Sequence, residues 1–309
     1  MATAIGPTLS VVIPTYRRPD LLEQCLSSLR NQEGASEAFE VVVVDDASGP
    51  DTTAVLERAA ALAGNLRWVT QPHNRGPAAA RNRGVELATG DLLLFMDDDI
   101  VASPGLVASH IKLHAQATDT YGVVGLVEWL PSLHVTPFMR WVEALPLQFG
   151  FATMTEGLQG DPTGAFYTCN LSMKRSLFQT TGGFDERFPF AAYEDTELAI
   201  RLVKLGFELD YRSAPLAWNS RPMTLDEFCG RMRKVAQSAL VFHEAYPEVD
   251  PVIPDLVQSR YSNVGLKMLA LLARVSPTFL GRDARSAYYY ERVRRAYQSG
   301  LALGRPASK

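Results

Sequence analysis

The chain has 309 residues, of which 47% are hydrophobic and 21% are charged, and its formal net charge is −4. This length permits one large α/β domain with an extension or two smaller domains, and the charge gives no signal for nucleic-acid binding. The three cysteines are widely spaced without a CxxC pattern, which argues against a disulfide framework and a zinc site. We find no basic-then-apolar leader and no apolar run of about 18 residues, so we expect a cytoplasmic protein.

In the first half of the chain, short apolar runs alternate with segments of helical spacing. The runs are LSVVIP (9–14), FEVVVVDD (39–46), LRWVTQ (66–71) and LLLFMDDD (92–99). Helices are predicted after Pro19, over 51–63 and over 77–88. Continuous apolar runs are typical of strands that are buried on both faces. The pattern therefore predicts βαβ units and a mostly parallel sheet flanked by helices.

The second half is predicted to begin with strands and loops and to end in helices. Residues 121–173 mix apolar strands with loops, 193–206 show helical spacing, and several helices follow from about Thr224. Residues 251–309 contain ten Lys/Arg and three Asp/Glu, a net charge of +7 against −11 for the rest. Their amphipathic helices either pack on protein, in this chain or a second copy, or lie on an anionic membrane surface.

Acidic side chains follow two of the predicted strands. Asp45 and Asp46 end the second run, and Asp97, Asp98 and Asp99 end the fourth. In an open parallel sheet, ligands bind beyond the carboxyl ends of the strands, so both clusters are expected at one edge. In an extended segment, Asp97 and Asp99 point together, about 6 to 7 Å apart, and Asp98 points away. These like charges need protonation, hydrogen-bond donors or a cation, such as a divalent ion shared with substrate phosphates.

The segment HNRGPAAARNRG (73–84) is a candidate anion site. Gly76 and Pro77 start a helix whose free N–H groups face the same edge of the sheet, and the arginines add positive charge. Arg81 is the best candidate because the topology places it nearest the acidic clusters, whereas a solvated surface position is favoured for Arg83. Neither GxGxxG nor GxxxxGK[ST] occurs, so neither a usual dinucleotide-binding fold nor a Walker NTPase is supported.

A second acidic site, Glu194 and Asp195, precedes the helical pattern of residues 193–206. Carboxylates at the start of a helix are stabilised by its dipole, so the pair is interpreted as a helix cap. Alternatively, one of the two is a general base, which must stay ionised at neutral pH and reach the proton that it removes. Both interpretations are compatible because a helix N-terminus keeps a carboxylate ionised.

These motifs together resemble the family 2 glycosyltransferases, the inverting group with the Rossmann-like α/β fold called GT-A. The resemblance covers about residues 8–245 and rests on the ordered set VVIPTYRRPDLLEQCLSSL, VVVVDDAS, NRGPAAARNRG, GDLLLFMDDDI, CNLSMKRSLF, GGFDE and YEDTELAIRL. It implies a GT-A domain at 1–245, with a nucleotide-sugar half at about 8–120 and an acceptor-binding, catalytic half at 121–245. A helical C-terminal extension is expected at 246–309.

The resemblance also implies the roles of individual residues. The donor is expected to contact Pro14, Thr15, Tyr16, Arg17, Asp45, Asp46, Arg81, Asp97 and Asp98. Asp99 and Asp97 match the D-x-D element and are expected to hold Mn²⁺ or Mg²⁺ at the diphosphate. Asp195 matches the catalytic base, and Glu194 is the second candidate.

One stretch departs from the family pattern. Relatives often carry a histidine near the metal in a Y-H-x-H-P pattern, whereas this chain has WNSRP at 218–222. Asn219 is a poorer metal ligand than histidine, and Arg221 supplies charge to the diphosphate, so we expect a weaker metal dependence. Asn219, Arg221 and Asn170 are candidate contacts to the acceptor or the diphosphate.

The function implied by the resemblance is inverting transfer of a sugar, with a UDP-sugar favoured, to a hydroxyl of a saccharide, lipid-linked or other acceptor. The expected setting is bacterial polysaccharide, glycolipid or glycoconjugate biosynthesis, in the cytoplasm or on the inner face of the cell membrane. Two alternatives stay open: a transferase for GDP- or dTDP-sugars with little metal dependence, and a non-catalytic nucleotide-sugar-binding protein. The latter is expected to lack Asp97, Asp99 or Asp195, all of which are present.

Overall fold

The computed structural model describes residues 8–35, 38–144, 150–248, 263–275 and 279–304. The chain divides into two compact units. The first comprises Met1–His134, Phe149–Pro189 and Glu194–Arg221, and the second comprises Val135–Gln148, Phe190–Tyr193 and Pro222–Lys309. The domain boundary predicted between residues 245 and 246 stays a prediction. Part of the predicted helical C-terminal extension, residues 249–262, 276–278 and 305–309, lies outside the described residues.

Within the described residues, the first unit contains a sheet of nine strands. They are β1 (Leu9–Thr15), β2 (Phe39–Asp45), β3 (Leu66–Thr70), β4 (Leu92–Met96), β5 (Ile100–Ala102), β6 (Tyr121–Trp129), β7 (Gly157–Leu158), β8 (Asn170–Lys174) and β9 (Glu208–Asn219). Their order is β3-β2-β1-β4-β8-β6-β9-β5, and β7 pairs with β9. The first four strands in this order are parallel, as predicted. β8 runs antiparallel to both of its neighbours, which makes the whole sheet mixed.

The helices are α1 (Pro19–Arg30), α2 (Pro50–Leu62), α3 (Gly76–Leu87), α4 (Leu106–His114), α5 (Pro137–Glu143), α6 (Arg175–Thr180), α7 (Glu194–Val203), α8 (Leu225–Ala245), α9 (Asn263–Val275) and α10 (Phe279–Gly304). The predicted helices after the first three strand runs are confirmed as α1, α2 and α3. α1 buries the four apolar residues at helical spacing after Pro19, which are Leu22, Cys25, Leu26 and Leu29. The predicted α/β class with helices around the sheet is confirmed.

The register of the sheet brings the predicted site segments to one edge. Leu9 of β1 is paired with both Phe39 of β2 and Leu92 of β4, so the three strands run side by side to their carboxyl ends. Every residue of β4 is buried, and the run of aspartates begins at the first residue after it. The apolar strand thus ends where the sheet ends, and the charges are carried by the loop.

α3 lies directly against β1 and β2 because a glycine permits the close approach. A Cβ atom on Gly84 would lie 2.4 Å from Val12 Cγ1, a distance that non-bonded atoms do not adopt. The helix therefore depends on the small residue at this position. Its close packing fixes where Arg81, one turn earlier, projects.

The second unit is helical. Its apolar core joins α5, α8 and α10 and contains Phe138, Val142, Phe228, Cys229, Met232, Ala236, Val293, Ala296 and Tyr297. α8 begins with a capping box in which the Thr224 hydroxyl accepts the Glu227 N–H and the Glu227 carboxylate accepts the Thr224 N–H. No helix among the described residues combines the length and the apolar character needed to cross a membrane.

Candidate active site

The predicted segment after β1 lies at the carboxyl edge of the sheet. Thr15 is buried, and its hydroxyl donates to Asp98 Oδ2 at 2.8 Å. Tyr16 is 38% exposed, and the Arg17 guanidinium lies 5.0 Å from the centroid of its ring. Arg17 has φ 54°, in the left-handed region, and its N–H donates to Ser48 Oγ. Tyr16 and Arg17 thus present an aromatic face and a cation to solvent.

The two aspartates at the carboxyl end of β2 bond to neighbouring loops. Asp46 accepts the N–H groups of Arg75 and Gly76 at 2.8 and 2.9 Å. Asp45 accepts the N–H of Ser48. The structure therefore corrects the prediction that the start of α3 is free to bind phosphate, because the Asp46 carboxylate already occupies these N–H groups.

The three aspartates after β4 form a turn, which the Asp97 carbonyl closes by accepting the Ile100 N–H at 3.2 Å. The prediction that Asp98 points away from its neighbours, which assumed an extended segment, is wrong. Asp98 is buried and accepts hydrogen bonds from Thr15 and from Arg18 Nη1, the latter at 3.0 Å. The same Arg18 nitrogen lies 3.4 Å from Asp99 Oδ2. We call Asp97, Asp98 and Asp99 the acidic turn.

The acidic turn carries more negative charge than its protein neighbours compensate. Burial and the charges of Asp98 and Asp97 raise the pKa of Asp99 to about 7, although Arg18 and Arg221 oppose the shift. Burial also raises the pKa of Asp98, against the effect of Arg18. An additional cation at this turn would therefore be stabilised.

The residues at the turn fit a metal ion that is bound partly by protein carboxylates and partly by a diphosphate. Asp97 is one-third exposed on its side chain, and Asp99 retains 12%. Across the described part of the chain, no group of three His, Cys, Asp or Glu residues could hold an ion alone. Mg²⁺ and similar ions commonly take one or two carboxylates and complete their shell with substrate phosphates and water. Asp99 and Asp97 suit such a shared site.

The WNSRP segment is tied to the acidic turn. Asn219 pairs with Ile100 at the end of β9, and both the N–H and the hydroxyl of Ser220 donate to the Asp99 carbonyl. The Asn219 side-chain oxygen accepts the Arg221 N–H, so this oxygen is already used. Arg221 is partly exposed, and within the described residues its guanidinium has no hydrogen-bond or ion-pair partner.

The pair at the start of α7 divides into a buried and an accessible carboxylate. Glu194 is 2% exposed, whereas the Asp195 side chain is 24% exposed. Thr168 holds Asp195 through its N–H at 3.3 Å and its hydroxyl at 2.9 Å. Burial raises the pKa of Asp195, and the Arg81 charge and the Thr168 hydrogen bonds oppose this shift. Only Asp195 of the two is placed to meet a substrate.

Arg81 joins this pair to the acidic turn. It is 3% exposed, with Nη1 3.0 Å from Glu194 Oε1 and Nη2 2.9 Å from Asp97 Oδ1. Asp195 Oδ1 lies 3.8 Å from Nη1. One guanidinium therefore connects Asp97 with Glu194 and Asp195, two predicted site segments that are far apart in sequence.

Asn170 has a different place from the one expected. It is fully buried, its amide N–H groups donate to the carbonyls of Pro215 and Leu126, and its Oδ1 bonds to His110 Nε2 at 2.9 Å. All of its polar atoms are used inside the sheet. We therefore correct its predicted role as an acceptor contact and assign it to the core.

Sequence reasoning missed two residues that shape the site. Arg18, in the quoted stretch YRRP, contacts the acidic turn, and Thr168 anchors Asp195. A basic residue close to a strand end was a usable signal for Arg18. Thr168 offered none, because a threonine in YTCN is compatible with any strand or loop.

The family model described as Glycosyl transferase family 2 matches residues 10–181, which is more than half of the chain. The chain is 35% identical over 234 residues to validoxylamine A glucosyltransferase of Streptomyces hygroscopicus subsp. limoneus, covering 67% of this chain and 50% of that protein. It is 42% identical over 246 residues to the uncharacterized glycosyltransferase YfnE of Bacillus subtilis (strain 168), covering 66% and 62%. It thus spans about half to three-fifths of the length of these relatives.

Solved structures share the fold. A mannosyltransferase of Pyrobaculum calidifontis, in complex with GDP-Man and Mn²⁺, has a TM-score of 0.63 and 17% identity, covering 97% of this chain and 87% of that chain. TarS 1-349 of S. aureus in complex with UDP has a TM-score of 0.55 and 18% identity, covering 97% and 93%. These likenesses confirm the predicted GT-A architecture.

Proposed function

Because the chain belongs to glycosyl transferase family 2, we propose that it transfers a sugar from a nucleotide-diphospho-sugar to an acceptor hydroxyl with inversion at the anomeric carbon. The observation that carries this proposal is the link through Arg81 between the acidic turn and Asp195. It places an accessible carboxylate beside the carboxylates suited to a diphosphate-bound ion. A base and a leaving-group site are thereby held in one cluster.

The donor side of the proposal uses the exposed residues after β1. Tyr16 and Arg17 are the groups that a nucleotide can reach directly, through ring stacking and charge. Four of the other predicted donor residues are engaged in hydrogen bonds at this edge: Thr15 bonds to Asp98, Asp45 to the Ser48 N–H, and Asp46 to the Arg75 and Gly76 N–H groups. Pro14 lies within β1. A UDP-sugar is the proposed donor, and GDP- and dTDP-sugars are the competing candidates.

The reaction proposed for this site has one displacement step. Asp195 accepts the proton of the acceptor hydroxyl, the hydroxyl oxygen forms a bond to the anomeric carbon, and the bond from that carbon to the diphosphate oxygen breaks. The electron pair leaves with the nucleoside diphosphate. Thr168 holds the Asp195 carboxylate in place throughout. Glu194 is too deeply buried to replace it.

Positive charge near the leaving diphosphate comes from two proposed sources. Asp99 and Asp97 would hold Mn²⁺ or Mg²⁺, and such an ion, when bound, neutralises the charge that develops on the diphosphate oxygens. The Arg221 guanidinium has no hydrogen-bond or ion-pair partner among the described residues and is the proposed side-chain contact to the diphosphate. A site with this arginine is expected to retain part of its nucleotide affinity in EDTA.

A ligand and turnover screen tests the proposed function. Thermal denaturation is measured with UDP-, GDP- and dTDP-sugars, with Mn²⁺ and with EDTA, because a ligand that binds the native state raises its stability. Release of nucleoside diphosphate is then followed with the best ligand. We expect stabilisation by one nucleotide class and turnover of its sugar. Stabilisation without any turnover, in the presence of hydroxyl acceptors, would favour the non-catalytic alternative.

We also propose that α9 contacts an anionic membrane surface, which suits a lipid-linked acceptor. Val264, Met268, Leu271 and Leu272 lie at helical spacing and are 42 to 68% exposed. α9 also contains Lys267 and Arg274 and no acidic residue. An apolar stripe on a helix whose charged residues are all basic fits anionic lipid better than a protein surface of mixed charge.

Co-sedimentation with vesicles tests this contact. The full chain is expected to bind vesicles with anionic lipid, and Met268→Asp is expected to abolish binding. Leu62→Asp, at another exposed leucine, is the matched control and should bind normally. Equal sedimentation of the Met268→Asp variant would reject the proposal. A concentration-dependent dimer that Met268→Asp dissolves would assign the stripe to a second copy instead.

A further inference from the structure

Arg81 has surroundings that differ from those of a phosphate ligand. Its side chain is 3% exposed, and its two terminal nitrogens each meet a carboxylate, Glu194 on one side and Asp97 on the other. The guanidinium carbon also lies 5.5 Å from the centroid of the Phe184 ring. A diphosphate would meet this guanidinium where solvent scarcely reaches it, beside carboxylates that already bond both terminal nitrogens.

The arrangement needs an arginine. A guanidinium carries separate N–H groups in a rigid fork, so it can bond two carboxylates that lie on different elements. Nη1 bonds to Glu194 at the start of α7, and Nη2 bonds to Asp97 at the end of β4. A lysine retains the charge, but its single ammonium group cannot hold the same two positions.

We call the two bonds of Arg81, to Glu194 and to Asp97, the tether. It starts from a helix that is fixed to the sheet, and it acts on the position of Asp195. Gly84 lets α3 pack closely on Val12 of β1, so the helix that carries Arg81 is fixed to the sheet. Asp195 follows the tethered Glu194 in the chain and lies 3.8 Å from Arg81 Nη1. The hydrogen bonds to its carboxylate come from Thr168. The position of Asp195 is thus set from one side by Arg81 and from the other by Thr168.

We propose that Arg81 is a positioning residue that holds Asp195 and the acidic turn in register, and that it is not a ligand of the donor diphosphate. The inference rests on the proposed function, since it takes Asp195 as the base. It replaces the role in nucleotide binding that the family resemblance implies for Arg81.

Arg81→Lys separates the two roles. As a positioning residue, Arg81 affects the chemical step: we expect kcat to fall about 10²-fold, a typical cost of a small misplacement of a catalytic group. The affinity for UDP or GDP, whichever stabilises the protein in the thermal screen, should stay within about threefold by titration calorimetry. Arg83→Lys, on the exposed face of the same helix, is the matched control and should leave both quantities unchanged.

Turnover of the double variant, Arg81→Lys with Asp195→Asn, tests more directly whether Arg81 acts through Asp195. Because Arg81 acts in part through Asp195, the double variant should lose less turnover than the product of the two single losses, since residues that act as one unit are not additive. Additive losses, or a nucleoside diphosphate affinity weakened tenfold or more by Arg81→Lys, would overturn the inference. Unchanged turnover of Asp195→Asn itself is a separate result, since it would reject the proposed base.

A second variant covers the case in which Arg81→Lys does not fold. Glu194→Gln loosens the same tether at its other end while Arg81 is kept. It should show the same division, with lower kcat and unchanged nucleoside diphosphate affinity. A normal kcat in Glu194→Gln would contradict the positioning role of the tether, as would a weakened nucleoside diphosphate affinity in Arg81→Lys.

Discussion

A buried histidine behind the site is expected to make the protein sensitive to mild acid. His110 of α4 is fully buried and bonds to Ser172 Oγ at 2.8 Å and to Asn170 Oδ1 at 2.9 Å. Because the amide oxygen can only accept, Nε2 carries the proton and Nδ1 accepts from Ser172. This is the neutral imidazole. We therefore choose His110→Gln as the perturbation.

The size of the effect follows from the pKa of His110. Burial lowers it from 6.5 to about 4. Between pH 6.5 and about 4, His110 is therefore protonated in the unfolded chain but stays neutral in the folded protein. The stability associated with the neutral ring is fully present above pH 6.5 and is lost as the pH falls toward 4. Each pH unit in this window is worth about 1.4 kcal/mol, so the loss from pH 8 to pH 5 is about 2 kcal/mol.

Urea denaturation at pH 8, 6.5 and 5 measures this loss. His110→Gln lacks the ring hydrogen bonds and is expected to be less stable than the wild type at pH 8. The difference in free energy of unfolding between the wild type and His110→Gln should shrink by about 2 kcal/mol at pH 5, because the variant has no imidazole at this position to protonate. His73→Gln, at an exposed position, is the matched control. If the stabilities of the wild type and His110→Gln change in parallel from pH 8 to pH 5, His110 is not the source of the acid sensitivity.

Three further substitutions test the packing and the loops by urea or thermal denaturation. Gly84→Ala should cost about 1 to 3 kcal/mol, because the new Cβ meets Val12, and wild-type stability would contradict this close contact. Thr224→Ala should cost about 1 kcal/mol through loss of the capping box with Glu227, and a cost near zero would mean that the cap is not formed. Asp46→Ala should cost about 1 to 3 kcal/mol by leaving two N–H groups of α3 without their acceptor, and an unchanged melting temperature would argue against that cap.

The parallel half of the sheet was predictable because burial on both faces leaves a continuous apolar run in the sequence. β2 and β4 contain almost only apolar residues, and every residue of each is buried. β9, with the sequence ELDYRSAPLAWN, contains charges and a proline, so neither alternation nor an apolar run marks it. Its pairing with β6 and β5 depends on tertiary contacts, which local patterns do not encode.

The site was predictable as a set of residues but not as a set of contacts. The carboxylates of the acidic turn and of α7 stood out because like charges after apolar runs need a ligand or a partner. Three of their partners, Thr15, Arg18 and Thr168, lie 27 to 83 residues away in the chain and were not predicted. The turn itself forms because Asp98 bonds inward, and this interaction overrides the alternation expected of an extended segment.

The central claim is that Asp195 acts as the base of a sugar transfer. Release of nucleoside diphosphate from the donor selected in the screen, compared between the wild type and Asp195→Asn, tests it most directly. Asp91→Asn, at the opposite end of β4, is the matched control. We predict that Asp195→Asn lowers the rate by about 10² to 10⁴ while the donor still binds, and that Asp91→Asn keeps the wild-type rate. Near-normal release by Asp195→Asn would contradict the claim.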